Sequence, residues 1–329
     1  NDLKGLLAYS TISHLGLITL LLGLNSPLAA VAAVFHMMNH ATFKASLFMS
    51  VGIIDHETGT RDMRRLDGLF RFMPITGTLA IVACAAMAGV PLLNGFLSKE
   101  MFFAETVFVT AHPAIEYGLP AAATLAGVFA VVYSLRFGHD VFFGPPPTDC
   151  PRQPHEPVHW MRVPVELLVL ACVVVGTLPA WSIGPVLALA AQPVVGGTLP
   201  DYSLAVWHGF NAPLVMSLIA TAGGLLVYLR FAERFKQRRS RSAPLLQGLD
   251  GKRLFENTLA RASDAARRLV RRLGTRRLQP QLFVMLMIAG LAGLGSALVV
   301  PLTWGDRARV PATPEFVLLL LIAGACAIG

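Results

Sequence analysis

The sequence predicts an all-α polytopic membrane protein: a bundle of about nine transmembrane helices that includes one broken helix, plus a basic amphipathic cytoplasmic helix. Of the 329 residues, 54% are hydrophobic and only 14% are charged, against about 25% charged residues in a typical soluble domain. The mean hydropathy is +0.60, and long apolar runs recur along the chain, as expected of a bilayer-spanning protein. This composition excludes a soluble enzyme, a disordered chain and a nucleic-acid-binding domain. The basic pI near 9.7 therefore indicates cytoplasmic membrane loops.

Nine apolar segments have the length of a transmembrane helix, which needs about 17 to 25 residues. Helices are the expected element because lipid offers no partners to backbone polar groups, and the period-2 pattern of a membrane barrel is missing. Only Gly89-Val90-Pro91 separates the third segment from the fourth. The stretch 181–195 is apolar but carries two prolines, so we expect it to lie in the interface. The predicted spans are 5–24, 28–54, 73–90, 92–112, 118–137, 163–180, 209–231, 280–303 and 313–329.

The basic residues predict a membrane topology. Nine alternating crossings place seven Lys and Arg on the side of Asn1 and eighteen on the other side, which is expected to be cytoplasmic. Most of this charge lies in 232–279, where apolar residues recur at spacings of three and four from about Asp250 onward. The pattern predicts a basic amphipathic helix that lies on the membrane lipid, or alternatively a solvated linker helix. The proline-rich segment 145–157 is expected to be an extended connection.

The cysteines and the chain ends carry little chemistry. The chain starts at Asn1 without a signal peptide and ends inside the apolar run 316–329, so we expect a piece of a longer protein. No two cysteines have the spacing of a metal or redox motif, and we interpret all four as small buried hydrophobic residues. They are Cys84, Cys150, Cys172 and Cys326.

The strongest functional pattern is in the second span, where His36, His40 and Lys44 follow one another at intervals of four residues. This spacing puts them on one stripe of a helix, about 6 Å apart along the axis. Ionisable groups are costly in a membrane helix and usually mark ion or proton paths, and imidazole and buried amine groups both suit proton transfer. The alternative is a polar stripe that only holds helices together. The spacing HMMNH lacks the Glu of HExxH, so we expect no metal site.

A second pattern covers residues 89–100, where Pro91 and Gly95 disfavour a continuous helix. A helix break at membrane depth is tolerated where it lines a cavity or is covered by protein. Ser98 and Lys99 follow the break, so Lys99 is a candidate for the pathway. The alternative is a lysine that reaches from a helix end to the membrane surface.

Weaker candidates are Lys4 at the start of the first span, His14 within it and Glu105 beyond Lys99. Their side chains could support a hydrated branch of a proton path or could make interhelical hydrogen bonds. We find no GxGxxG motif, no phosphate-binding loop and no cysteine pattern for a cofactor, so no cofactor is expected.

Three motifs, in this order and spacing, resemble the antiporter-like family of membrane proteins. They are DLKGLLAYSTIS at 2–13, HxxxHATFKA at 36–45 and GFLSKE at 95–100. The family includes the large proton-translocating membrane subunits of respiratory complex I and of Mrp-type multisubunit Na+/H+ antiporters. Within it, HETGTRD at 56–62 and WHGFN at 207–211 resemble the branch formed by the A subunits of the Mrp antiporters.

The resemblance implies a domain organisation. The family core consists of two inverted five-helix repeats, and 1–137 corresponds to the second of them. Residues 138–231 would add two transmembrane helices and a Pro-rich loop, and 232–279 a basic cytoplasmic loop whose helix is similar to the lateral helix of the family. Residues 280–329 would hold C-terminal transmembrane helices that are truncated.

The resemblance also implies roles for single residues. It places Lys44 on a central polar axis and Lys99 at the broken helix, while His14 stands where the family commonly has Gln. The residues implied for the proton pathway are Lys44, Lys99, His36, His40 and Lys4.

The implied function is that of a proton-translocating subunit of a multisubunit monovalent cation (Na+)/H+ antiporter in the bacterial inner membrane, a transporter rather than an enzyme. Expected partners are the other subunits of the antiporter complex, membrane lipid, H+, and Na+ or another monovalent cation, but no nucleic acid. One alternative is a proton-pumping subunit of a complex I-like NADH:quinone oxidoreductase or membrane hydrogenase. An alternative of another class is a non-conducting membrane scaffold subunit.

Overall fold

The structure is a computed structural model that describes residues 1–109, 112–147, 149–236, 251–273, 278–299 and 313–328. These residues form α-helices and one short 3-10 turn, Leu69–Arg71, and they contain no β-strand. The helices are α1 Leu3–Gly23, α2 Pro27–Thr58, α3 Pro74–Ala88, α4 Asn94–Val107, α5 Pro113–Phe142, α6 His159–Thr177, α7 Pro179–Ser182, α8 Gly184–Val195, α9 Ala212–Lys236, α10 Gly251–Leu273, α11 Leu278–Val299 and α12 Pro314–Ile328.

Among the described residues all nine predicted spans overlap helices, so the prediction of an all-helical membrane protein is confirmed. The number nine is not confirmed. In the described part of the chain, five helices are long and apolar enough to cross a membrane: α1, α5, α6, α9 and α11. Polar side chains interrupt the apolar run of α2, although this helix is 32 residues long. The stretch 181–195 forms the short helices α7 and α8 instead of a span.

The third and fourth predicted spans, α3 and α4, together form one crossing, which corrects the prediction of two. With 15 and 14 residues they are about 22 and 21 Å long, shorter than the roughly 30 Å hydrocarbon layer. Moreover, the loop after α5 contacts the loop after α2. The Arg65 guanidinium donates to the Asp149 carbonyl at 2.6 Å, and the Arg152 amide donates to the Thr58 carbonyl at 3.1 Å. Because α2 and α5 end at the same end of the bundle, α3 and α4 cross it once between them.

Helix α9 runs parallel to α5 and packs against it along most of its length. A Cβ atom on Gly127 would lie 2.9 Å from the Ala220 Cβ, and one on Gly224 would lie 2.5 Å from the Val131 Cβ. These helices therefore approach closely because glycines take the place of larger side chains. Further along both helices, the Tyr228 hydroxyl donates to Asp140. The end of α9 thus lies at the same end of the bundle as the end of α5.

This arrangement corrects the predicted division of basic residues between two sides. The Arg61 guanidinium is 2.7 Å from the Asp2 carboxylate, so the loop after α2 lies beside the start of α1. The loop after α5 and the end of α9 lie at this same end, which we call the basic end. The loops 55–72 and 138–162 were predicted to lie on opposite sides, and that prediction is wrong.

Residues 246–329 form a second compact unit, which is described by itself. Its first helix is α10, and the predicted basic amphipathic helix is confirmed as a helix at this position. The side chains described in α10, including Leu259 and Arg267, are exposed. Its position on a membrane surface stays a prediction. Residues 237–250 and 274–277 of the predicted basic loop 232–279 lie outside the described residues.

Candidate functional site

Helix α2 carries the predicted stripe of ionisable residues into the core. The helix starts at Pro27, where the Ser26 hydroxyl accepts from the Ala29 amide at 3.4 Å. It ends at Thr58, and the next residue, Gly59, has a φ of +73° that suits glycine. His36, His40 and Lys44 all lie on the buried face, at 2%, 8% and 4% exposure. The four-residue spacing in the sequence therefore does place the three groups on one inward stripe.

The structure adds His14 of α1 to this stripe. His14 is 2% exposed, and its Nδ1 lies 3.0 Å from Nε2 of His36. Its Nε2 lies 3.0 Å from the hydroxyl of Tyr133 on α5. The ring of His40 packs on the ring of His14 with 5.1 Å between centroids. Three imidazoles are thus in mutual contact in the core, and we call them the histidine cluster.

Lys44 is held at one end of the histidine cluster by neutral groups. Its ammonium donates to the Ser10 hydroxyl, approaches the Leu7 carbonyl at 3.5 Å and the Met87 sulfur at 3.3 Å, and lies 5.9 Å from the centre of the Tyr133 ring. Among the described residues no carboxylate pairs with it. A buried charge without a partner is costly, so Lys44 is suited to release its proton.

The break predicted around Pro91 and Gly95 is present between α3 and α4. Helix α3 ends at Gly89, whose φ is +83°, and the ammonium of Lys99 donates to the Ala88 carbonyl at 2.6 Å. Lys99 therefore bonds to one of the carbonyls that a helix end leaves without a partner. It is 5% exposed and does not reach the surface as a snorkelling side chain would. Ser98 connects the break to the histidine cluster, because its hydroxyl lies 3.1 Å from Nδ1 of His36.

Gly95 allows α4 to start directly against α3. A Cβ atom on Gly95 would lie 1.8 Å from the Ala86 carbonyl oxygen. We predict that Gly95→Ala forces the two half-helices apart, at a cost of about 1–3 kcal/mol or more. The complex should then denature at a lower temperature than wild type. Gly16→Ala on α1 is the control, because nothing lies within 4 Å of a Cβ there. Equal denaturation temperatures for the two variants would contradict the close approach.

Two predicted residues lie apart from the histidine cluster. Lys4 is half-buried, and its ammonium lies 3.7 Å from Asp55 at the basic end. Glu105 is buried near the other end of α1, where it accepts from the Ser26 hydroxyl at 3.4 Å. Neither contacts the histidines.

Three further polar residues near the cluster were not expected from the sequence: Tyr133, Asn39 and Asn94. The Asn94 amide donates to the Asn39 carbonyl at 3.5 Å, and among the described residues both side-chain oxygens lack a protein partner. A polar aromatic residue within the apolar run of α5 was the available signal for Tyr133, since a buried tyrosine hydroxyl usually finds a partner. The described residues contain no group of three His, Cys, Asp or Glu side chains arranged to hold a metal ion.

Comparisons with known proteins identify the relatives of this chain. Residues 1–118 match the family described as NADH:quinone oxidoreductase/Mrp antiporter, transmembrane. The probable A/B subunit of a K(+)/H(+) antiporter from Rhizobium meliloti is 58% identical over all of this chain and 33% of its own length. The A subunit of the Na(+)/H(+) antiporter from Alkalihalophilus pseudofirmus is 40% identical over 69% of this chain and 31% of its own length. The chain thus spans about a third of these curated relatives.

A solved structure of the Mrp complex from Dietzia sp. DQ12-45-1b matches 99% of this chain and 35% of its own chain, with 32% identity and a TM-score of 0.62. The structure of an archaeal membrane-bound sulfane sulfur reductase shares the fold, with a TM-score of 0.55 at 22% identity. The helical architecture, the matched family and the antiporter A subunits among the relatives all indicate the same family. The chain therefore belongs to the NADH:quinone oxidoreductase/Mrp antiporter family, as a homologue of the antiporter A subunits.

Proposed function

We propose that this chain is the proton-translocating part of one subunit of a multisubunit monovalent cation/proton antiporter. The observation that carries the proposal is a pair of buried lysines, Lys44 on the histidine stripe of α2 and Lys99 beside Ser98, which contacts the histidine cluster. Among the described residues neither lysine has a carboxylate partner. If these positions only held helices together, neutral polar side chains would be more stable there, because burying an unpaired charge costs free energy. A role in gaining and losing protons explains why two unpaired lysines are buried inside the bundle.

Protons move along an axis formed by Lys44, His40, His36 and Lys99. Each imidazole can accept a proton on one nitrogen and donate from the other, and a lysine amine can hold or release one. Lys4 lies at the basic end, near the start of the axis. Water is expected between groups that are not in direct contact, since His40 Nε2 has no protein partner among the described residues.

The exchanged cation is monovalent, and its identity is open to direct measurement. The names of the two relatives state K+ for one and Na+ for the other, so we propose exchange of a monovalent cation without choosing between them. Everted vesicles with the assembled complex should restore the fluorescence of a quenched pH dye when NaCl or KCl is added. Vesicles that respond to neither salt, although they hold the complex and a proton gradient, would contradict the proposed function.

The proposed location is the bacterial inner membrane, with the other subunits of the antiporter complex as partners. We propose that 1–137 is the second antiporter-like repeat, followed by two further transmembrane helices in 138–231. On this proposal 232–279 is a basic cytoplasmic loop and 280–329 contains C-terminal transmembrane helices. The relatives are antiporter subunits, which supports a transporter in place of an enzyme.

We predict that the basic end of the bundle, together with 232–279, is cytoplasmic. Basic residues in short loops favour the cytoplasmic side, and the basic end holds the arginines of both loops 55–72 and 138–162. In a chain without native cysteines, Ser242→Cys should not react with an impermeant thiol reagent added to intact cells. Phe210→Cys should react, because Phe210 is 92% exposed and precedes α9 at the other end. The opposite labelling pattern would reverse the topology.

A further inference from the structure

The loop between α5 and α6 attaches the end of α2 to the start of α3. We call residues 149–157 of this loop the strap. On one side, the Arg152 amide donates to the Thr58 carbonyl at 3.1 Å. On the other side, the Glu156 carboxylate accepts from the Ile75 amide at 2.6 Å. The strap therefore joins the helix that carries the histidine stripe to the first half of the broken crossing.

A buried carboxylate lies between two histidines in the middle of this attachment. Glu57 is the last residue but one of α2 and is 6% exposed. Its Oε1 lies 3.0 Å from Nδ1 of His56, and its Oε2 lies 3.1 Å from Nε2 of His155 on the strap. Within the part of the chain that the structure describes, no lysine or arginine pairs with Glu57. The two imidazoles are therefore the groups that balance this carboxylate.

The two histidines differ in the protons that their contacts need. Nδ1 of His155 lies 3.0 Å from the Glu156 carbonyl, which only accepts, so this nitrogen carries a proton. In a neutral ring Nε2 would then have no proton, and its lone pair would face the Glu57 carboxylate. The contact at 3.1 Å consequently needs one further proton between Nε2 and Oε2. His56 needs none, because its neutral ring can donate from Nδ1.

The charged groups on the neighbouring elements have partners of their own. Arg152 of the strap donates to a backbone carbonyl of α2 at 2.7 Å. Asp55 on α2 lies 3.7 Å from Lys4 on α1, and Glu156 lies 3.8 Å from Arg162 on α6. Helix α3 carries no charged side chain. Further pairs at this end of the bundle are Arg61 with Asp2, Arg64 with Asp62 and Arg65 with Asp149. These pairs leave the balance of charge at Glu57 to the two histidines.

We propose that the strap is a pH-sensitive attachment, which closes by binding one proton between Nε2 of His155 and Oε2 of Glu57. The His155 side chain is 70% exposed at the basic end, so the proton comes from the solution there and returns to it. Histidine changes its charge between about pH 5 and 8. At low pH the proton is bound and the strap is closed. As the pH rises the proton leaves, the lone pair of Nε2 and the carboxylate repel each other, and the strap opens.

The switch makes the attachment of α2 to α3 depend on the pH of the solution at the basic end. It lies outside the histidine cluster and uses none of the residues of the proposed proton path. The inference therefore goes beyond the proposed antiport function and does not rest on it.

The test is hydrogen–deuterium exchange of the assembled complex, read by mass spectrometry at about pH 5 and about pH 8. The reporters are the backbone amides of Arg152 and Ile75, which bond at the two attachments of the strap. His155→Ala has no imidazole, so its strap should be open at both pH values. At the lower pH we expect both amides to exchange about fivefold or more slowly in wild type than in His155→Ala, and at the higher pH equally fast. Each comparison is made at one pH, so the pH dependence of amide exchange itself cancels.

Two further variants serve as controls. His155→Lys stays charged at both pH values, so its strap should remain closed at the higher pH. His159→Ala removes an exposed histidine at the start of α6, close to the strap, and should follow wild type at both pH values.

The outcomes are distinct. Equal exchange of wild type and His155→Ala at the lower pH overturns the proposal. Equal protection of wild type relative to His155→Ala at both pH values also overturns it, because the strap would then hold without the proton. A His155→Lys strap that is closed at the lower pH and opens at the higher one contradicts it as well. None of these measurements requires transport, so failure of the proposed antiport function would leave them unchanged.

Discussion

Lys44→Ala is expected to abolish cation-dependent proton exchange, with a loss on the order of a hundredfold, while the complex still assembles. Lys44 is the amine at the end of the histidine cluster that contacts Ser10 and borders Tyr133, and the described residues offer no second amine at this position. An alanine cannot hold the proton, and the nearest imidazole is one helical turn away along α2. The measurement is the rate of dye dequenching in everted vesicles after addition of NaCl or KCl.

Two further variants keep this result interpretable. Lys44→Met fills nearly the same volume without an amine, so it should lose exchange to the same extent if the proton matters and packing does not. Met49→Ala shortens an exposed side chain of the same helix and should keep wild-type exchange. The amount of assembled complex is read from a native gel. Wild-type exchange in assembled Lys44→Ala would remove this residue from the pathway.

Lys99→Arg is expected to lose most exchange activity although it keeps the positive charge. A guanidinium stays protonated at every relevant pH, so it cannot pass a proton on. The ammonium of Lys99 is already bonded to the Ala88 carbonyl within the bundle, at a helix end that favours positive charge. If fixed charge at this helix end were the only requirement, arginine would serve as well as lysine.

The experiment compares wild type, Lys99→Arg and Lys99→Ala over a range of pH, with assembly checked on a native gel. Lys99 fits closely, because a Cβ atom on Gly89 would lie 2.9 Å from its Cδ, so assembly of the larger arginine has to be shown. Lys99→His supplies a smaller group that can gain and lose a proton, and it should retain more exchange than either other variant. Near-wild-type exchange in Lys99→Arg, with loss in Lys99→Ala, would show that charge alone is needed.

The parts of the site that depend on local spacing could be predicted from the sequence. Intervals of four residues place His36, His40 and Lys44 on one stripe of any helix, and a Pro and a Gly near Lys99 indicate a break wherever the helix packs. These inferences need only the geometry of a single helix. The stripe and the break therefore occur where they were expected.

The remaining features depend on contacts between distant segments. The bond between His14 and His36 joins residues on two helices, and Tyr133 enters the cluster from a third, so no local pattern reveals them. The predicted number of membrane crossings was not confirmed for a related reason. Two short apolar helices look like two spans in the sequence, and the contacts between the loops after α2 and α5 show that they share one.

On the proposed pathway, the broken crossing also determines how the membrane potential acts on a proton held at Lys99. Helices α3 and α4 have nearly equal lengths, so we expect Lys99, near their junction, to lie about halfway across the membrane. A charge that crosses the whole membrane gains or loses about 2.3 kcal/mol per 100 mV, so a proton held at Lys99 has passed through about 1.2 kcal/mol of that difference. If protons bind there as proposed, proton binding at Lys99 and proton release from it are both electrogenic. The membrane potential therefore acts both on the path from one side of the membrane to Lys99 and on the path from Lys99 to the other side.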